Sequence, residues 1–140
     1  MKTSMLSFLL FALTFLWSIT ISVVAHELCH YITLKVLGGS GFVRGTICYG
    51  TLVPGGTITR VVVSFAGGLG CGVIFLALQL CFKDVFHRVM FGSIGSFHLS
   101  YGLMEGLWDL LGRSFSPVFI SVAAAAFSTA YIFNDLRNSD

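Results

Sequence analysis

The chain has 140 residues, of which 56% are hydrophobic and 10% are charged, and its mean hydropathy is +0.91. Soluble domains usually carry about 25% charged residues, so this composition excludes an ordinary soluble protein and predicts a membrane protein. The net charge of +2 is too small and too scattered to indicate nucleic acid as a partner.

Four apolar segments predict membrane helices, because a helix needs about 20 apolar residues to cross the hydrocarbon core. We predict them over about residues 7–37, 61–82, 89–112 and 117–134. They take up most of the chain, so we expect an all-α membrane protein with about four transmembrane helices. Residues 1–140 would then form a single multi-pass domain in the lipid bilayer.

The first segment also resembles a signal peptide, since a lysine precedes its apolar run and small residues end it. That run is longer than the about 7–15 residues of a signal peptide, so we expect it to be kept as a helix. Gly38 and Gly39 are expected to end this helix. Residues 38–60, which are rich in β-branched residues and punctuated by glycines, predict a short β-hairpin between helices one and two.

The second helix carries the run SFAGGLGCG, in which Gly68 and Gly72 stand four residues apart. Two small residues at this spacing lie on one face of a helix and allow another helix to approach closely. We therefore expect a tight helix contact at this face.

Candidate catalytic and metal-binding residues occur in the run AHELCHY at the end of the first apolar segment. On a helix, His26 and His30 lie one turn apart on the same face, so both imidazoles can bind one metal ion. Glu27 lies beside such an ion rather than on it, where it can take a proton from a water molecule. This is the physical content of the HExxH pattern of zinc metalloproteases.

The third helix holds three ionisable residues within an apolar segment, namely His98, Glu105 and Asp109. At 100° per residue they share one narrow stripe, which must face the protein interior or water because a charged group facing lipid is costly. A catalytic zinc site needs a third protein ligand, and we favour Asp109, with Glu105 and His98 as alternatives. The others could orient a ligand, relay protons or contact substrate. Alternatively, the stripe is a polar clasp between helices that binds no metal.

Three segments resemble the site-2 protease family of intramembrane zinc metalloproteases, and the resemblance extends over nearly the whole chain. AHELCHYITLKVLGG is similar to the family's HExxH helix, which ends in glycine. SFAGGLGCG is similar to its glycine-containing motif in the middle helix, and MEGLWDLLG is similar in position to the segment with its metal-binding aspartate.

The resemblance implies a zinc ion bound by His26, His30 and Asp109, with Glu27 as the general base. It implies a zinc metalloendopeptidase in the membrane that hydrolyses peptide bonds of membrane-spanning or membrane-associated proteins. One alternative is a non-catalytic membrane metal-binding protein, such as a transporter, a sensor or an inactive relative. Another is an accessory subunit whose polar stripe only joins helices.

Overall fold

The computed structural model describes residues 5–51, 56–111 and 117–137. These residues form four helices and one two-stranded antiparallel sheet. In chain order the elements are α1 (Met5–Val36), β1 (Ser40–Arg44), β2 (Ile47–Thr51), α2 (Gly56–Cys81), α3 (Val85–Leu111) and α4 (Pro117–Arg137). The prediction of a mostly helical fold with a short hairpin between the first two helices is confirmed.

The hairpin has a regular antiparallel register, with Ser40 opposite Thr51 and Arg44 opposite Ile47. Two residues connect the strands, and the first of them, Gly45, has a φ of 63°. A glycine with positive φ at the first turn position is the pattern of a type II′ turn, whose twist matches that of the paired strands.

The hairpin folds back over the last turns of α1. A Cβ atom added at Gly41 would lie 2.8 Å from the Leu34 side chain, and one added at Gly50 would lie 2.2 Å from it. Glycines on both strands therefore allow the backbone to cover Leu34, which is only 2% exposed. This contact places the hairpin beside the helix segment that carries His30.

Helices α2 and α3 pack so closely that glycine backbone on one helix contacts the other helix directly. A Cβ atom at Gly68 would lie 2.2 Å from the Cα atom of Gly102, and one at Gly72 would lie 2.6 Å from the Leu99 side chain. The predicted close contact at the Gly68 and Gly72 face is thus confirmed. Helix α1 packs on α2, and α4 packs on α3.

Helix α3 begins four residues earlier than predicted because Asp84 caps it. The backbone N–H of His87 donates to Asp84 Oδ1 over 3.0 Å, and the ring Nδ1 of His87 lies 2.7 Å from the same oxygen. The backbone hydrogen bond, followed by the side-chain hydrogen bond, lowers the pKa of Asp84 below its usual range. An aspartate just before an apolar helix is a local start signal that the predicted boundary did not use.

Two further helix ends differ from the predicted ones. Helix α2 begins at Gly56 instead of residue 61, so residues 57–60 form its first turn rather than the end of the hairpin segment. Helix α4 continues to Arg137, beyond the predicted end at 134. Both predictions followed the limits of uncharged sequence, but a polar or charged residue does not stop a helix.

Within the described residues, two helices are long and apolar enough to cross a membrane, by length and composition. The candidate spans are Ala12–Val36 in α1 and Gly56–Cys81 in α2. For α3 and α4, membrane spans stay a prediction.

Candidate metal centre

His26 and His30 meet one turn apart on α1, as their spacing predicts. Their Nε2 atoms lie 2.9 Å apart, and the two residues are 6% and 8% exposed. One helical turn of separation places both residues on a single face of α1, where their rings can meet. The pair therefore presents two nitrogen atoms to one point.

Glu105 on α3 completes this group. Its Oε2 atom lies 3.4 Å from His26 Nε2 and 3.5 Å from His30 Nε2. Among the residues that the structure describes, these three form a group that could hold a metal ion. The same oxygen is buried and has no hydrogen-bond partner within the described part of the chain. A buried carboxylate oxygen without a partner is costly, and a cation at this point would remove that cost.

Two of the three separations within the group match a tetrahedral zinc site, and the two histidine nitrogens lie closer together than in such a site. Metal–ligand bonds of about 2.0–2.1 Å in a tetrahedral zinc site place neighbouring ligand atoms about 3.3–3.4 Å apart. The three observed separations are 2.9, 3.4 and 3.5 Å. If the ion were zinc, three protein donors would be the number found in zinc sites that keep one open position. The site therefore fits a metal ion in the number and type of its donors and in two of their three separations.

His30 is held from α2 by two features. Its Nδ1 atom lies 2.6 Å from the carbonyl oxygen of Val63, an acceptor, so Nδ1–H donates and neutral His30 carries its lone pair on Nε2. A Cβ atom at Gly67 would lie 2.1 Å from His30 Nε2. The absence of a side chain at Gly67 therefore makes room for the imidazole, and the Val63 carbonyl sets its tautomer.

His26 is held from the opposite side by His98 on α3. The Nδ1 atoms of the two rings lie 3.3 Å apart, and His98 Nε2 lies 3.0 Å from the hydroxyl of Ser22. The Ser22 hydroxyl also lies 2.8 Å from the carbonyl oxygen of Ile19. His98 and Ser22 are 5% and 2% exposed, so the chain of contacts is closed to bulk water.

Glu27 lies at the hairpin side of the site. Its Oε2 atom accepts a hydrogen bond of 2.7 Å from the backbone N–H of Cys48 in β2. Glu27 borders a cavity of about 340 Å³ together with His30, Glu105 and the hairpin. It also borders a second cavity of about 170 Å³, which reaches His26, His98 and Tyr101. The hydrogen bond from Cys48 thus fixes the carboxylate at the border of these two cavities.

Asp109 lies outside the group formed by His26, His30 and Glu105. Its carboxylate accepts a short hydrogen bond from the hydroxyl of Ser64 on α2. The structure therefore brings Glu105, one turn earlier on α3, to the histidine pair. Zinc binding by Asp109 stays a prediction.

Sequence reasoning did not find four of the groups that contact the predicted site residues. They are the hydroxyls of Ser22 and Ser64, the carbonyl of Val63 and the amide of Cys48. Only Ser22 had a local signal, because it stands one turn before His26 on the same helix. The other three act across elements, and two of them are backbone groups with no sequence signature.

Comparisons with models of protein families, with curated proteins and with solved structures find no match to this chain.

Proposed function

We propose that the protein is an intramembrane zinc metalloprotease that hydrolyses peptide bonds of membrane-spanning or membrane-associated proteins. The observation that carries the proposal is the meeting of His26, His30 and Glu105, with a buried carboxylate oxygen that has no hydrogen-bond partner among the described residues. Two histidines and one glutamate form a known ligand set of catalytic zinc sites. The resemblance to the site-2 protease family adds support from the sequence.

Glu27 distinguishes a protease from a simple metal site. A bound zinc ion would supply Lewis-acid activation of a water molecule and of the scissile carbonyl. Glu27 then takes a proton from the attacking water and delivers it to the leaving amine. The N–H of Cys48 orients the Glu27 carboxylate for this transfer through its 2.7 Å hydrogen bond. A site that only binds or transports metal has no need of this carboxylate.

The apolar surface supports a membrane location. Only 17% of the candidate span in α1 and 28% of that in α2 are buried within the protein. Leu16, Trp17 and Ile32 on α1 are 61%, 68% and 57% exposed. Apolar surface of this extent marks a membrane or protein interface. We propose that all four helices cross the bilayer, with the polar stripe of α3 turned inward.

An apolar groove offers a route from the lipid to the site. It has a volume of about 250 Å³, and residues of α1, α3 and α4 line it. Val23, Phe97 and His98 also line the cavity beside Glu27, so the two spaces are neighbours. A substrate helix hides its peptide bonds in its own hydrogen bonds, and it must unwind before Glu27 can act.

The test uses purified protein in lipid vesicles together with a pooled set of single-span membrane peptides. New peptide termini are identified by mass spectrometry, and zinc is measured on the same samples. Glu27→Gln keeps the shape of the side chain but removes the base. We expect zinc content to be unchanged and cleavage to fall by about 10²- to 10⁴-fold, the usual contribution of a general base.

Unchanged cleavage by Glu27→Gln would contradict the proposal. A wild-type protein that binds zinc but cleaves no peptide would instead favour a non-catalytic membrane metal-binding protein. A wild-type protein without metal would favour a polar clasp between helices.

A further inference from the structure

His98 is a buried imidazole that the proposed reaction does not use. It lies between His26 Nδ1, at 3.3 Å, and the Ser22 hydroxyl, at 3.0 Å. His98 is 5% exposed, so only a small part of its ring borders the groove and the cavity beside Glu27. Both of its ring nitrogens have partners, so the positions of its hydrogens can be worked out from the groups at the ends of the network.

Metal binding determines the direction of every hydrogen bond in this network. A metal ion on His26 Nε2 requires a lone pair there, so neutral His26 must carry its proton on Nδ1. That N–H can donate only if His98 Nδ1 carries a lone pair, which places the His98 proton on Nε2. His98 Nε2–H then donates to Ser22 Oγ, and the Ser22 hydroxyl donates to the Ile19 carbonyl at 2.8 Å. In this direction, each of the three observed contacts is a hydrogen bond with one donor and one acceptor.

Without a cation, the same atoms also permit the reverse direction. His30 Nδ1–H donates to the Val63 carbonyl, so His30 Nε2 is an acceptor, and His26 Nε2–H can donate to it over 2.9 Å. His26 Nδ1 must then accept from His98 Nδ1–H, and His98 Nε2 accepts from the Ser22 hydroxyl, which in this direction no longer donates to the Ile19 carbonyl. This direction avoids two lone pairs facing each other at 2.9 Å.

We propose that His98, held by Ser22, is a positioning residue that prepares His26 for metal binding by accepting its Nδ1–H. The inference rests on the proposed metal site. A partner for the second nitrogen of a ligand histidine fixes the ring orientation and raises its basicity, and its loss typically weakens metal binding by about 10- to 100-fold. Here the partner is the imidazole of His98, which in turn contacts the hydroxyl of Ser22.

The first test compares two substitutions of His98 by zinc affinity, measured by competition with a chelator in detergent. His98→Leu fills similar space without an acceptor, and we expect the Kd for zinc to rise by about 10- to 100-fold. His98→Asn can place its Oδ1 atom near the position of Nδ1, and we expect it to restore most of the affinity. The same two substitutions at His87, which lies on α3 and pairs with Asp84, serve as matched controls that leave the Kd unchanged.

Equal losses for His98→Leu and His98→Asn would show that His98 only packs, and wild-type affinity in His98→Leu would also overturn the inference. A second measurement needs no variant. Nitrogen NMR of wild-type protein labelled at histidine is expected to show the His98 proton on Nε2 after zinc is added. A His98 proton on Nδ1 in the zinc-bound protein would overturn the inference.

The outcomes separate this inference from the proposed function. A wild-type chain that binds no zinc defeats both. A chain that binds zinc with no dependence on His98 defeats only the inference. A chain that binds zinc with the predicted dependence but cleaves nothing supports the positioning of His26 and contradicts the protease.

Discussion

At the scale of single residues, Glu105 and Asp109 are the two carboxylates that could serve as the third metal ligand. They stand one turn apart on the same stripe of α3, and both are carboxylates. The structure distinguishes them by their partners, because Glu105 faces two imidazole nitrogens while Asp109 accepts a hydrogen bond from Ser64. Glu105, not Asp109, therefore belongs to the group of donor atoms that lie close enough together to share one metal ion.

This difference predicts which substitution removes the metal. Glu105→Gln keeps the size of the side chain but replaces an anionic ligand with a neutral amide, so we expect bound zinc to be lost. Asp109→Asn should keep its zinc, because its partner is the Ser64 hydroxyl. The measurement is elemental analysis of zinc per chain after purification in detergent, with wild type alongside.

The opposite ranking, with zinc lost only in Asp109→Asn, would restore the assignment implied by the resemblance to the site-2 proteases. It would also mean that α3 shifts by about one turn, or about 5.4 Å, relative to α1 when metal binds.

At the scale of elements, the contact between α2 and α3 decides which part of α3 faces the histidines. Gly68 meets the backbone of Gly102, which cannot move aside as a flexible side chain can. Gly70 on the same helix faces Cys29, where an added Cβ would lie 2.8 Å from a side-chain sulfur atom. The two glycines thus differ in what opposes them, although both lie within α2.

We expect Gly68→Ala to destabilise the protein by about 1–3 kcal/mol, the usual cost of inserting atoms into a packed contact. Alanine also has a higher helix propensity than glycine by about 1 kcal/mol, but this gain is the same in the control Gly70→Ala. The measurement is the thermal unfolding midpoint in detergent, with zinc content on the same samples. An unfolding midpoint of Gly68→Ala at or above that of Gly70→Ala would contradict the close approach of the two backbones.

At the scale of the whole molecule, the membrane arrangement can be tested with the native cysteines. If α2 crosses the bilayer, Cys48 in β2 and Cys81 at the end of α2 lie on opposite sides. Cys81 is exposed and Cys48 is half-buried, and both have free thiols. No cysteine has to be removed, because peptide mapping by mass spectrometry identifies each labelled site.

The expected result is that a membrane-impermeant maleimide labels only one of these two cysteines in intact cells, and labels both after the membrane is permeabilised. Labelling after permeabilisation is the control for the accessibility of each thiol. Labelling of both cysteines from the same side in intact cells would contradict a membrane span by α2 and, with it, the proposed arrangement of four spans.

Local patterns in the sequence were enough for much of this protein. The apolar segments predicted the four helices, and the glycines and β-branched residues between the first two predicted the hairpin. The spacing of His26 and His30 predicted their meeting, because two residues one turn apart lie on the same face of a helix. The polar stripe on α3 could also be predicted, because helix periodicity alone determines which residues share a face.

Only the tertiary structure decided which carboxylate faces the histidine pair and which groups hold the imidazoles. The sequence places Glu105 and Asp109 on one face of α3, but the choice between them depends on how far α3 slides along its neighbours. That position follows from contacts such as the one between Gly68 and Gly102, which join residues far apart in the chain. The carbonyl of Val63 and the amide of Cys48 have the same origin, because every residue has these backbone groups and only the fold selects the ones that act.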